Sequence, residues 1–225
     1  MPQHDAHGVI GRDYATRSDL LAELTAIVAA ETRALAAEGV PYIQVDAPGY
    51  MSFVDRRTVE RMRQGGLDPD QELAEAIAAD NACLAAARHD GGTTAIHFCR
   101  GNSRSRWLRE GGYDPIAERL FTSLEADRFL LEYDTERAGG FEPLRFVPRG
   151  KIVVLGLVTT KQGQLESQDE LRQRIDEAAK YVPIENLALS PQCGFASSFS
   201  GNLLSLDDQR RKLELVVDTA RKVWG

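Results

Sequence analysis

The sequence predicts an α/β fold built on five parallel β-strands. Strand-like and helix-like segments take turns along the 225 residues, and the strand-like runs are apolar throughout. Such alternation is typical of parallel strands that are joined by crossover helices and covered on both faces. Five strands fit either an open doubly wound sheet or the last five strands of a (β/α)₈ barrel.

The first predicted elements are a long helix, a strand and a second helix. Residues 18–39 carry apolar side chains at helical spacing, begin at the capping candidates Ser18 and Asp19, and end at Gly39. The run VPYIQVDAP (40–48) is β-branched and aromatic, which predicts a buried strand, and a helix follows near 70–88.

The same alternation continues to the C-terminus. Residues 1–12 are expected to form a flexible N-terminal arm, and 13–225 one compact unit. Four further strands are predicted at 93–99, 128–134, 151–160 and 186–194. Helices are predicted between and after them, at 113–126, 167–182 and 205–223.

Composition excludes several classes of protein. The net charge is −7 and the basic residues are scattered among acids, which argues against a nucleic-acid partner. The longest apolar runs, such as IVVLGLV (152–158), are far too short to cross a membrane, and MPQHDAHG has no apolar signal segment. A cytoplasmic location is therefore predicted. Three cysteines argue against a disulfide framework and for thiols that are buried, metal-bound or reactive.

Polar and thiol side chains stand where the predicted strands end. Because parallel strands present their carboxyl ends at one face, these residues are expected to lie near each other. They are Asp46, His97, Cys99, Glu132, Asp134 and Cys193.

A metal site is the chemistry that this set predicts. His97 and Cys99 are two residues apart on one strand, so both side chains leave the same face, about 7 Å apart. Cys193 follows Pro191 in a predicted turn, and Glu132 offers an oxygen ligand. Imidazole, thiolate and carboxylate groups are zinc ligands.

Several residues have an explanation that needs no ligand. Cys83, in NACLAAA, is predicted to be a core residue, and Asp46 serves equally well as a cap for the next turn. The basic run RGNSRSRWLR (100–109) fits a solvated face that pairs with nearby acids better than an anion-binding loop.

Four motifs in order, YIQVDAP, HFCRGN, FLLEYD and LSPQCGF, resemble the C-terminal catalytic barrel of cobalamin-independent methionine synthases, in particular their short methionine synthase II-like branch. The resemblance extends from about residue 12 to the end and implies a (β/α)₈ TIM-barrel type with about five of eight strands present. It implies zinc bound by His97, Cys99, Glu132 and Cys193. Asp46 would bind the amino group of homocysteine, with Ala47 in place of the family's usual Glu.

The resemblance also implies an activity and a partner. The expected reaction moves a methyl group from 5-methyltetrahydrofolate or a related donor to homocysteine, forming methionine. Two alternatives remain: a zinc-dependent alkyltransferase acting on another small thiol, and a non-catalytic partial barrel. The family's first strands have no counterpart here, so the chain is truncated, or a homo-oligomer or second chain completes the barrel, or the five strands close in another way. The exposed edge of the sheet is expected to be covered by the N-terminal arm or by a partner.

Overall fold

The computed structural model describes residues 10–196 and 199–225. Every predicted strand and helix is confirmed, and helix α2 and the short hairpin β3–β4 are additional elements. The elements are α1 (Arg17–Ala37), β1 (Tyr42–Asp46), α2 (Arg56–Gln64), α3 (Pro69–Ala87), β2 (Thr93–Phe98), β3 (Asn102–Ser103), β4 (Arg106–Trp107), α4 (Ala117–Ser123), β5 (Arg128–Glu132), β6 (Ile152–Val158), α5 (Gln168–Ala178), β7 (Leu187–Pro191) and α6 (Leu206–Trp224).

Five strands form one sheet in the order β1-β2-β5-β6-β7, and every neighbouring pair is parallel. The predicted fold class is confirmed: a partial barrel with five parallel strands. Asp46 pairs in register with His97, and Glu132 pairs with Gly156. The carboxyl ends of all five strands therefore lie along one side of the sheet, called the carboxyl edge, and the candidate metal ligands lie there.

The two faces of the sheet differ in burial. Phe98, Phe129 and Val153 are fully buried on the face that packs against helices, and the rings of Phe98 and Phe129 stack with centroids 6.4 Å apart. Leu130 and Val154 point to the opposite face, where they are only partly buried. In a closed barrel this second face would line the interior.

Local signals explain where the outer helices start. Thr16 caps α1 in a capping box with Asp19, so the cap lies two residues before the predicted Ser18. Ser205 caps α6 in the same way, with Asp208 as its partner. The chain leaves α1 through Gly39, whose φ of 75° suits glycine.

The N-terminal region enters the description only at residue 10. Residues 1–9 of the predicted flexible arm lie outside the described residues, and Gly11 then makes a turn by donating its N–H to the carbonyl of Tyr14 at 2.7 Å. Among the residues described, each helix is too short or too polar to serve as a membrane span.

Candidate metal centre

The thiols of Cys99 and Cys193 lie side by side at the carboxyl edge of the sheet. Their sulfur atoms are 2.8 Å apart, although β2 and β7 are separated by two strands. Cys193 has a φ of 22°, an uncommon conformation for a residue with a side chain, in the turn that leaves β7. Two effects raise the pKa of the Cys99 thiol: the larger is its hydrogen bond with Cys193, and the second is its burial. The backbone N–H of Gly101 donates to the Cys99 sulfur at 3.2 Å, which favours the thiolate.

Asp46 and His97 form the second pair at this edge. The imidazole Nδ1 lies 2.5 Å from Asp46 Oδ1. Such a contact fixes the orientation of the ring and leaves Nε2 as the nitrogen available to a metal. The turn Pro48–Ser52 has no side-chain cap, so the Asp46 carboxylate orients His97 and does not cap that turn. His97 is also near enough to Cys99 to lower its pKa electrostatically.

Cations hold the carboxylate of Glu132. Its side chain is fully buried, and Oε1 accepts a hydrogen bond from Arg137 Nη2. Oε2 accepts from the backbone N–H of Arg100 at 2.8 Å, and Lys161 Nζ lies 3.6 Å from Oε1. Sequence analysis missed these partners, although Arg137 follows Glu132 by only five residues in EYDTER.

Arg100 corrects the prediction that the basic run 100–109 is a solvated face. Its side chain is 0% exposed and donates to the backbone carbonyls of Gly111 and Glu132 at 2.8 and 2.7 Å. The prediction fits Arg104 and Arg106, which are exposed on the hairpin β3–β4. Arg100 therefore stabilises the fold, because it donates hydrogen bonds to buried carbonyl groups that have no contact with water.

Lys161 extends the buried charges toward Cys193. Its ammonium donates to Asp134 Oδ2 at 2.7 Å and to the side-chain carbonyl of Gln192. Burial lowers the pKa of Lys161, and the Asp134 charge opposes that shift. Burial, with the nearby Arg100 charge, also lowers the pKa of Arg137, to about 10. Arg137 therefore stays charged at neutral pH.

An open cavity of about 460 Å³ lies over these groups. It is lined in part by Asp46, His97, Glu132, Cys193 and Phe195. Two thiols and an imidazole are donors that suit zinc. Within residues 10–196 and 199–225 no group of three or more His, Cys, Asp or Glu is already arranged to hold a metal ion. The side chains of His97, Cys99 and Cys193 are of types that bind zinc. The Glu132 carboxylate is instead paired with Arg137 and Lys161.

Comparison with known proteins identifies the family. The sequence profile of the family described as "Cobalamin-independent synthase, Catalytic domain" matches residues 8–222. The protein YxjG of Bacillus subtilis, which is described as uncharacterized, is 45% identical over 187 residues. That alignment covers 83% of this chain and 49% of YxjG, so the chain spans about half the length of this relative.

Two further comparisons agree with this match. The methionine synthase of Thermococcus kodakarensis is 23% identical over 181 residues, which are 80% of this chain and 45% of that protein. The crystal structure of the putative vitamin-B12 independent methionine synthase from Listeria monocytogenes superposes with a TM-score of 0.71 and 30% identity. The superposed part is 94% of this chain and 57% of the Listeria chain. The chain therefore belongs to the cobalamin-independent methionine synthase family.

Proposed function

We propose that this protein is a zinc-dependent methyltransferase that methylates the thiol of homocysteine to form methionine. The observation that carries the proposal is the meeting of Cys99 and Cys193, with sulfur atoms 2.8 Å apart, at the edge where His97 faces the cavity. Membership of the family supports the reaction type. The proposed zinc ligands are His97, Cys99 and Cys193, with the Glu132 carboxylate as an exchangeable fourth ligand.

Each residue has a defined task in this proposal. Zinc, when bound, keeps a substrate thiol in its nucleophilic thiolate form at neutral pH. Asp46 orients the imidazole of His97 with one oxygen. Because its side chain is 67% exposed at the cavity, the other oxygen is available to bind the substrate ammonium by a charge-assisted hydrogen bond. The methyl donor is proposed to be 5-methyltetrahydrofolate or a related methyl carrier.

Metal analysis of the purified protein tests the proposal. We expect one zinc ion per chain, and we expect Cys193→Ser to weaken zinc binding about 100-fold and to abolish homocysteine alkylation. Cys83→Ser is the matched control, because Cys83 is buried between helices, with its sulfur 3.8 Å from the carbonyl of Thr25. It should leave both properties unchanged.

The proposal is wrong if the protein carries no stoichiometric zinc and Cys193→Ser alters neither metal content nor alkylation. Alkylation of another small thiol in preference to homocysteine would instead support the alkyltransferase alternative. Zinc binding without turnover would support a non-catalytic partial barrel.

The outer boundaries of the sheet form an open surface. It includes the outer edges of β1 and β7, which pair with no other strand among the described residues. It also includes the exposed apolar side chains of α1, beside β1, and of α6, beside β7. These side chains are 39–53% exposed on α1 and 41–73% exposed on α6: Ile27, Val28, Leu35, Leu206, Leu213 and Val217. Unpaired strand edges beside apolar helix faces favour association.

We propose that three further βα units of the family's barrel cover the open surface. Among the described residues the parallel sheet has five strands, and an eight-stranded barrel needs three more. The relatives and the Listeria structure carry additional chain of the required order, since this chain covers 49% of YxjG and 57% of the Listeria protein. The covering units would also bury the partly exposed Leu130 and Val154.

Coexpression with the part of YxjG that this chain does not match tests the open surface. We expect a 1:1 complex by native mass spectrometry, because the added units bury the apolar faces of α1 and α6. Leu213→Asp with Val217→Asp should abolish the complex, whereas Leu67→Asp should not, since Leu67 is 40% exposed but lies between α2 and α3. A chain that stays monomeric, or that associates only with itself, contradicts the proposal.

A further inference from the structure

The Glu132 carboxylate accepts hydrogen bonds and ion pairs from groups that are not among the candidate metal ligands. Arg137 Nη2, the backbone N–H of Arg100 and Lys161 Nζ approach its two oxygens from different elements. We propose that Arg137 and Lys161 form a holding site for the Glu132 carboxylate, which occupies it whenever a substrate thiol takes the carboxylate's place at the zinc. This inference rests on the proposed function.

The guanidinium of Arg137 is fixed in place independently of Glu132. Nη1 donates to the carbonyl of Arg109 at 3.2 Å, and the guanidinium carbon lies 4.9 Å from the centre of the Trp107 ring. Nη2 also lies 3.9 Å from Asp134 Oδ1. Arg137 is therefore preorganised to receive the carboxylate.

Charge balance gives the holding site its effect on zinc. Arg137 and Lys161 face two carboxylates, those of Glu132 and Asp134, and all four side chains are at least 90% buried. When Glu132 turns to the metal, one buried positive charge loses its partner, and an unpaired buried charge is unfavourable. The cations therefore weaken ligation by Glu132 and favour its replacement by a thiol. Arg137 and Lys161 are positioning residues in this scheme, since they act through Glu132.

A purely structural ion pair makes a different prediction. In that case, removing Arg137 lowers stability, and zinc binding falls with it or stays constant. In the holding-site scheme, removing Arg137 leaves Glu132 free for the metal, so zinc binds more tightly and the substrate thiol binds more weakly. The opposite signs of these two effects distinguish the schemes.

The test compares Arg137→Met with Arg174→Met. Arg174 is a matched control, because its guanidinium packs 5.1 Å from the ring of Phe141 and donates to the backbone carbonyl of Tyr133 at 2.7 Å. Among the described residues it makes no contact with the Glu132 carboxylate. Zinc affinity is measured by competition with a chromophoric chelator, and homocysteine binding by titration of the cobalt-substituted protein. We expect Arg137→Met to bind zinc about 10-fold more tightly and homocysteine about 10-fold more weakly, because Glu132 loses a charge-assisted hydrogen bond that competes with the metal. Arg174→Met should change neither.

Lys161→Met is the second variant, for the case in which Arg137→Met does not fold. It should shift both affinities in the same directions by about 3-fold, because the Lys161 ammonium lies farther from Glu132, at 3.6 Å. Unchanged or weaker zinc binding by the folded variants, with normal zinc binding by the unmodified protein, overturns this inference alone. Failure of the unmodified protein to bind zinc overturns the proposed function and this inference with it.

Discussion

Replacing Arg100 by methionine is expected to lower the free energy of unfolding by about 4 kcal/mol. The Arg100 guanidinium is completely buried and donates to the carbonyls of Gly111, Glu132 and Ala138 and to the hydroxyl of Tyr113. Methionine fills similar space but leaves these acceptors without a donor. Buried acceptors without a partner cost more than the net value of the lost hydrogen bonds.

Urea or thermal unfolding followed by circular dichroism measures this effect. For a chain of this length, about 4 kcal/mol corresponds to a decrease in Tm of about 12 °C. Arg145→Met is the control, since the Arg145 guanidinium also lies over an aromatic ring, 4.3 Å from the centre of Phe146, but its side chain is 48% exposed. Its ion pair with Asp114 is solvated, so the control should lose no more than about 0.5 kcal/mol. Equal stability of the two variants would show that Arg100 does not hold the strand ends together.

The architecture was predictable because its signals are local. Each of the five strands is an apolar run of a few residues, and helices between three of the four neighbouring pairs favour a parallel arrangement. Between β5 and β6 the crossover contains only short 3-10 helices, such as Glu142–Phe146.

Helix α2 was not predicted because its local signal is weak. Of Arg56–Gln64 only Val59 and Met62 are apolar, and only Met62 is buried, so the apolar stripe is too short to predict a helix. Its start depends on Asp55, which accepts a hydrogen bond from the Thr58 N–H at 2.9 Å.

The candidate site was predictable only in part, because its charge pairing is non-local. The pattern His-x-Cys and the turn after Pro191 predict which donors reach the carboxyl edge, and the sulfur atoms of Cys99 and Cys193 do meet there. The pattern carries no information on what else reaches Glu132. Arg100 contacts it from the segment that follows β2, and Lys161 from the segment that follows β6, so the burial of these cations depends on the folded sheet.

Replacing Asp46 by asparagine is expected to lower kcat/KM for homocysteine about 100-fold at saturating zinc. In the proposed function, Asp46 has two tasks: it orients His97 through a contact of 2.5 Å, and it binds the substrate ammonium. Asparagine keeps an oxygen that accepts from the imidazole but removes the negative charge that attracts the ammonium. The main loss should therefore fall on substrates that carry an amino group.

The thiol 4-mercaptobutanoate, which is homocysteine without its amino group, separates the two tasks. For this substrate Asp46→Asn should reduce alkylation only about 3-fold, because the thiol has no ammonium to bind and only the orientation of His97 is weakened. Asp46→Ala removes the acceptor of His97 as well, so zinc affinity should fall about 100-fold, compared with about 10-fold for Asp46→Asn. Chelator competition gives the zinc affinities, and product formation with each thiol gives the kinetic ratio.

The ratio of the two thiols decides the role of Asp46 independently of protein stability. Partial unfolding or loss of metal reduces alkylation of both thiols by the same factor, whereas loss of ammonium binding reduces only that of homocysteine. An equal loss with both thiols in Asp46→Asn would leave Asp46 as a residue that orients His97 alone. The homocysteine ammonium would then need another acceptor. The covering βα units proposed above are where we would look for it, because Asp46 lies on β1, whose outer side pairs with no other strand among the described residues.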